Sequence, residues 1–268
     1  MPTTGTSLRD ELEGRAQTIR DTFGLGSRDD FLAAPLERLD ITDDVAKRLH
    51  AFNVEWHVMP PSSLVPFDDS YLARMYPLRS RDFRDPPYER LSVHEILSSA
   101  HRRVQGTIIG VESTQKPMYR PENCQQFYGT TYGFDPTCDP FAPYIERAGL
   151  KSGPRFINSR FAHTPGSLRS LGHVINTDWM ELGLIPPGYR FTICPPTAFN
   201  LIGVLFHREW SETATLELSA HFDDRGNAIG LTVGSNQPGD FSYVRRLDND
   251  PDLSRFGFRI ALLPDDGT

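Results

Sequence analysis

Imidazole and carboxylate side chains recur at strand period in one part of the chain, among residues that alternate between polar and apolar. They are His207, Glu209, Glu217, Ser219 and His221. In a β-strand every second residue points to the same face of the sheet. An imidazole beside carboxylates suits proton transfer or the binding of a divalent cation. This stretch is therefore the candidate site of the chain.

The register of the first hairpin decides which of these side chains meet. If residues 201–210 form a strand, hydrophobic matching across a short loop pairs His207 with Glu217. Glu209 then lies beside them on the same face. We predict His207, Glu209 and Glu217 as the catalytic residues, and the same three as metal ligands if a metal is bound.

The register of the second hairpin places two further polar residues. Hydrophobic matching pairs Phe222 with Ile229, which sets His221 opposite Gly230. A glycine there leaves a shallow floor that a ligand could approach. We therefore predict Ser219 and His221 as substrate-binding residues.

Two other interpretations of this stretch remain open. A solvent-facing His and Glu on neighbouring strands also form an ordinary cross-strand pair, worth from a few tenths to about 1 kcal/mol. Residues 201–210 are also apolar enough to form a buried helix. In that case the pairing of His207 with Glu217 disappears.

A long segment between Glu112 and Asp139 has neither helical nor strand period, yet it is rich in aromatic residues. Loops of this length within a compact domain are uncommon and often act as lids or binding loops. We predict that this aromatic loop closes a pocket. Its predicted substrate-binding residues are Tyr128, Tyr132 and Phe134.

The pattern of elements predicts an α+β fold. In residues 1–60, Ser7 and Thr42 each precede apolar residues at helical spacing, which indicates a helical N-terminal portion. Residues 61–150 are predicted to hold a Pro-rich connection, a helix and the aromatic loop. Residues 151–268 are predicted to be a mainly antiparallel β-rich region, a sandwich or barrel-like half. All three regions can belong to one domain.

The predicted strands follow from short runs of β-branched and aromatic residues between turn residues. They cover residues 54–58, 107–111, 156–161, 189–193, 201–209, 215–222, 228–233, 241–245 and 256–263.

Composition narrows the classes of protein. The 268 residues carry 35 acidic and 28 basic side chains, a net charge of -7, with the two signs interspersed. We expect no nucleic-acid partner and no membrane partner, because there is no basic block and no apolar run of about 18 residues. The polar N-terminus and three cysteines without a CxxC pattern predict a cytoplasmic protein with reduced thiols.

These observations favour a cytoplasmic enzyme that acts on a small-molecule ligand in a β-lined pocket, of hydrolase, lyase or isomerase type. Glu217 or Glu209 would be the acid or base, and His207 the proton partner or a ligand of a divalent metal; the cofactor is otherwise unknown. The alternative is a noncatalytic binding or assembly protein with the aromatic loop and Trp179 or Trp210 as its interface. Homo-oligomerisation is left open.

Overall fold

A computed structural model of the protein describes residues 7–27, 30–75, 102–114, 118–120, 125–127, 139–150, 160, 163–212, 216–222, 228–233, 244–246 and 256–265. Tyr128, Tyr132 and Phe134 lie outside these residues, so their predicted role stays a prediction.

Helices and strands alternate along the chain. The helices are α1 (Leu8–Phe23), α2 (Ala33–Arg38), α3 (Asp43–His50), α4 (Asp69–Met75), α5 (Ala142–Arg147), α6 (Pro165–Glu181) and α7 (Pro196–Phe206), with a 3₁₀ helix at Arg208–Glu212. The strands are β1 (Val54–Val58), β2 (Ile108–Glu112), β3 (Met118–Arg120), β4 (Gln125–Phe127), β5 (Tyr189–Ile193), β6 (Leu216–Phe222), β7 (Ala228–Val233), β8 (Val244–Arg246), β9 (Phe256–Phe258) and β10 (Ile260–Pro264).

The helical N-terminal portion is confirmed, and its caps explain where the helices begin. The Ser7 hydroxyl accepts a hydrogen bond from the backbone N–H of Asp10, and the Asp10 carboxylate accepts one from the backbone N–H of Ser7. Thr42 accepts from the backbone N–H of Val45 in the same way. These side chains satisfy N–H groups that a helix start leaves without partners.

The first sheet has the strand order β1-β2-β10-β5, with every neighbouring pair antiparallel. One face carries Val54, Trp56 and Val58 of β1 into a core that also contains α1 and α6 residues. The other face carries Ile109 and Val111 of β2 into a second core that contains α7 residues. Helices therefore cover both faces of the first sheet, including the faces of its edge strand β1.

The second sheet has the order β8-β7-β6-β9, in which β6 and β9 run parallel and the other pairs antiparallel. The register predicted for β6 and β7 is wrong by one residue, since His221 pairs with Ile229 instead of Gly230. The reason is burial. Glu217 and Leu218 lie on opposite faces of β6, yet both are buried. The alternation of polar and apolar residues therefore does not distinguish a solvent-exposed face from a core face, and hydrophobic matching cannot select the register.

The strand predicted for residues 201–210 is wrong, and the helical alternative is correct. Residues Pro196 to Gly203 are all buried. A helix that is buried on every side shows no amphipathic period, and a continuous apolar run cannot be told from a buried strand by periodicity. The region 151–268 therefore contains two helices, α6 and α7, that the strand patterns did not predict.

The chain passes from one sheet to the other at Arg259. The single strand predicted over residues 256–263 is divided there into β9 of the second sheet and β10 of the first. A mixed α+β fold is thus confirmed, while the sandwich or barrel arrangement and the domain boundaries stay predictions. Within the described residues, no helix is both long and apolar enough to cross a membrane.

Candidate functional site

Strand β1 presents two chemically active side chains to one face of the first sheet. Glu55 and His57 alternate with the core residues Val54, Trp56 and Val58 and therefore point to the opposite face. There they meet the end of α7. The sequence signal for this pair is the Glu-x-His spacing within the strand predicted at residues 54–58, because residues two apart in a strand share a face.

His207 ends α7, and its ring lies between two carboxylates. Its backbone N–H bonds to the carbonyl oxygens of Ile202 and Gly203, each at 3.2 Å, which closes the last turn. The ring Nδ1 lies 2.8 Å from Oε1 of Glu209. The ring Nε2 lies 3.3 Å from Oε2 of Glu55. The side chain is 12% exposed.

Glu55, His57 and His207 form a compact set of donor atoms, which we call the donor triad. One ligand atom from each residue lies within 4.8 Å of the others. His57 Nε2 is 3.9 Å from Oε2 of Glu55. Two imidazoles and one carboxylate with this spacing can hold one divalent ion, since metal–nitrogen and metal–oxygen bonds are each about 2 Å long.

His57 is the most deeply enclosed member of the donor triad, with 1% of its surface exposed. Burial, and then the nearby charge of Arg15, hold the pKa of His57 well below its usual range. The ring is therefore neutral. Among the described residues, neither of its ring nitrogens has a hydrogen-bond partner. Buried polar atoms without partners are rare in native proteins and often mark a missing ion or water.

Arg15 of α1 anchors the carboxylate of the donor triad to the edge of β1. Its guanidinium donates to the Trp56 carbonyl oxygen, to Oε2 of Glu55 and to Oε1 of Glu11, each at 2.6 Å. Burial of Glu55 opposes its ionisation, but the hydrogen bond from His207 and the charge of Arg15 lower the pKa of Glu55 well below its usual range overall. Glu55 is thus a carboxylate held in one orientation.

The predicted neighbour Glu217 has a different partner. Its Oε1 and Oε2 accept from Nη2 and Nε of Arg259 at 2.8 and 3.0 Å, and both side chains are buried. The predicted strand pairing of His207 with Glu217 does not exist, because His207 follows a helix. Glu209 does meet His207, but through a local bond between residues two positions apart rather than across strands.

The remaining predicted residues lie elsewhere. Ser219 and His221 lie on β6, paired with Leu231 and Ile229 of β7. The two tryptophans proposed as an interface, Trp179 and Trp210, are completely buried, so neither can present a surface to a partner.

No match was found when the chain was compared with models of known protein families, with curated proteins and with solved structures. The chemistry of the site follows from its donor atoms. Two imidazole nitrogens and a carboxylate oxygen suit a transition metal or zinc, and the same groups can relay a proton.

Proposed function

We propose that this chain is a metal-dependent enzyme acting on a small molecule, with Glu55, His57 and His207 as the ligands of a divalent ion. The observation that carries the proposal is the donor triad, in which one atom from each residue lies within 4.8 Å of the others. The buried neutral ring of His57, whose nitrogens have no partner among the described residues, supports it. A bound ion would satisfy one of these nitrogens.

The donor types indicate which ions would bind. Imidazole nitrogen suits zinc, iron, copper and nickel, whereas calcium and magnesium take oxygen ligands almost entirely. Three protein ligands leave positions open for water or substrate, as in catalytic rather than structural sites. We therefore propose an ion of the zinc or ferrous type.

Glu209 has a distinct role in this proposal. A metal-binding histidine usually donates its other ring N–H to a carboxylate, which fixes the tautomer and the ring orientation. The 2.8 Å contact from Nδ1 of His207 to Glu209 leaves Nε2 to face Glu55. Glu209 is thus an orienting residue rather than a ligand, and Arg15 orients Glu55 in the same sense.

The open coordination positions of the proposed ion indicate the reaction class. An ion held there would polarise a carbonyl or phosphoryl oxygen of a substrate and lower the pKa of a bound water. Hydrolase and lyase chemistry on a small molecule are both within its range. A cytoplasmic location remains part of the proposal, because the sequence has three cysteines and no CxxC pattern.

Calorimetric titration of the metal-free full chain with Zn²⁺ tests the proposal. We expect one ion per chain, with H57A and H207A each weakening binding by about a hundredfold or more, because a ligand is removed. H173A is the matched control, since His173 is an exposed histidine of α6 outside the donor triad. Wild-type affinity equal to that of the H57A/H207A double variant would refute the proposal.

A second candidate is proton transfer without a metal. The supporting observation is that both ring nitrogens of His207 face carboxylates, at 2.8 and 3.3 Å. Such an arrangement can move a proton between Glu55 and Glu209 through the ring. Activity that survives thorough chelation, yet is lost in H207A and kept in H57A, would favour this candidate over the metal site.

A further inference from the structure

The imidazole of His207 lies flat against the indole of Trp210. The two ring centroids are 4.7 Å apart and the planes differ by only 7°. Trp210 belongs to the 3₁₀ helix that directly follows His207, and its backbone N–H bonds to the His207 carbonyl oxygen at 3.0 Å. The ring contact therefore follows from the backbone conformation of the turn between α7 and the 3₁₀ helix.

The indole itself is held by its neighbours rather than by a hydrogen bond. Trp210 is completely buried, and its Nε1 has no hydrogen-bond partner among the described residues. The guanidinium carbon of Arg259 lies 3.8 Å from the ring centroid. The ring of Phe199 is stacked on the indole at 5.4 Å.

Arg259 is fixed in turn at the junction of the two sheets. It forms the paired bonds to Glu217, and its Nη1 donates to the carbonyl oxygens of Glu112 and Thr114, both at 2.7 Å. A buried guanidinium with four such bonds has little freedom to move. The indole thus rests against a rigid cation, an arrangement that cation–π attraction favours.

The His207 ring turns about its Cβ–Cγ bond, and a single hydrogen bond from Nδ1 to Glu209 tolerates a range of ring orientations. A flat contact with the indole fixes the plane of the ring. The two contacts together determine where Nε2 points, and this is the atom that faces Glu55. Metal affinity depends strongly on such outer contacts because they set ligand orientation.

We propose that Trp210 is a positioning residue for the metal ligand His207, an inference that rests on the proposed function. Arg259, paired with Glu217, holds the indole in place. Glu217 is then linked to the site through two packed side chains, Arg259 and Trp210, although it does not contact the donor triad through a strand pairing.

Titration of the metal-free full chain with Co²⁺, followed by its ligand-field absorption, tests this inference. We expect W210L to weaken Co²⁺ binding by about tenfold or more and to shift the absorption bands, because the ring plane is released. W210F, which keeps an aromatic face, should retain the bands and bind within about threefold of the wild type. If W210L does not fold, W210M takes its place under the same criteria.

L171A is the matched control. Leu171 of α6 is completely buried in the core that does not contain Trp210, so its truncation should lower stability while leaving Co²⁺ affinity within about threefold. Equal weakening in L171A and W210L would show a merely structural role and overturn the inference. Unchanged affinity and bands in W210L would overturn it and leave the proposed function intact. A wild type that binds no Co²⁺ would overturn both.

Discussion

In the folded protein, Nδ1 of His207 lies 2.8 Å from Oε1 of Glu209. The contact exists because the chain turns from α7 into a 3₁₀ helix between the two residues. In the proposed metal-bound state, Nδ1 would donate its N–H to this carboxylate and Nε2 would be the ligand nitrogen. Nε2 faces Oε2 of Glu55 at 3.3 Å, on the side of the donor triad.

The first prediction concerns this bond. Glu209→Ala removes the acceptor, so we expect the affinity of the chain for Zn²⁺ to fall by about 10- to 100-fold. Glu209→Gln keeps an oxygen that can accept from Nδ1 and should cost about threefold or less. Calorimetric titration of both variants measures the difference. Equal losses in the two variants would mean that the charge, and not the bond, is what matters.

The second prediction concerns the buried pair of Glu217 and Arg259. Glu217→Ala leaves the guanidinium without its carboxylate, so the free energy of unfolding should fall by about 3–5 kcal/mol. The double variant E217L/R259M removes both charges and should recover much of this loss. Urea unfolding followed by circular dichroism measures both. A single variant as stable as the wild type would contradict the pairing.

The third prediction concerns the start of α2. Oδ1 of Asp30 accepts from the backbone N–H of Leu32 at 3.0 Å and of Ala33 at 3.2 Å. These two bonds, that of Leu32 first, hold the pKa of Asp30 below its ordinary value of 3.8. Asp30→Ala should cost about 0.5–2 kcal/mol of unfolding free energy near neutral pH.

The sign of the pH dependence at Asp30 follows from the lowered pKa. Since the folded state holds the proton less tightly, the contribution is fully present above the ordinary value of 3.8 and is lost as the pH falls through the folded pKa. The stability gap between wild type and Asp30→Ala should therefore close in acid. Asp30→Asn keeps an acceptor oxygen and is the control; a stability gap between wild type and Asp30→Ala that is constant with pH would argue against an ionised carboxylate as the acceptor.

The fourth prediction concerns the thiol of Cys194. Burial raises the pKa of Cys194 well above its usual range, and the thiolate is the reactive form. In a C124S/C138S background, iodoacetamide should leave the native protein unmodified and should alkylate it fully in guanidinium. Mass spectrometry measures the added mass. Rapid modification of the native protein would contradict the buried position of the thiol.

The sequence correctly predicted the elements whose formation depends on interactions between residues close together in the chain. Ser7 and Thr42 mark helix starts because a capping oxygen satisfies N–H groups only a few residues away. Strands β5 and β7 have the predicted bounds, residues 189–193 and 228–233. Helix α7 was predicted only as the alternative to a strand, because it is buried on every side and a uniformly apolar segment has no periodicity that separates the two.

The candidate site was predicted only in part. His207 and Glu209 were identified from the sequence, and they do meet. Their expected neighbour Glu217 was selected by a strand pairing that a helix makes impossible. Besides Glu209, the carboxylate that approaches the His207 ring is Glu55, which comes from an edge strand far earlier in the chain.

The sequence by itself determined where α1 and α3 begin, which residues form β1, β5 and β7, and that His207 and Glu209 lie two positions apart. Those features depend on neighbours within a few residues. Only the tertiary structure decided that β1 lies beside the end of α7 and so brings Glu55 and His57 to His207. Contacts between distant segments depend on how whole elements pack to cover both faces of a sheet, and single-residue patterns do not record which element covers which face.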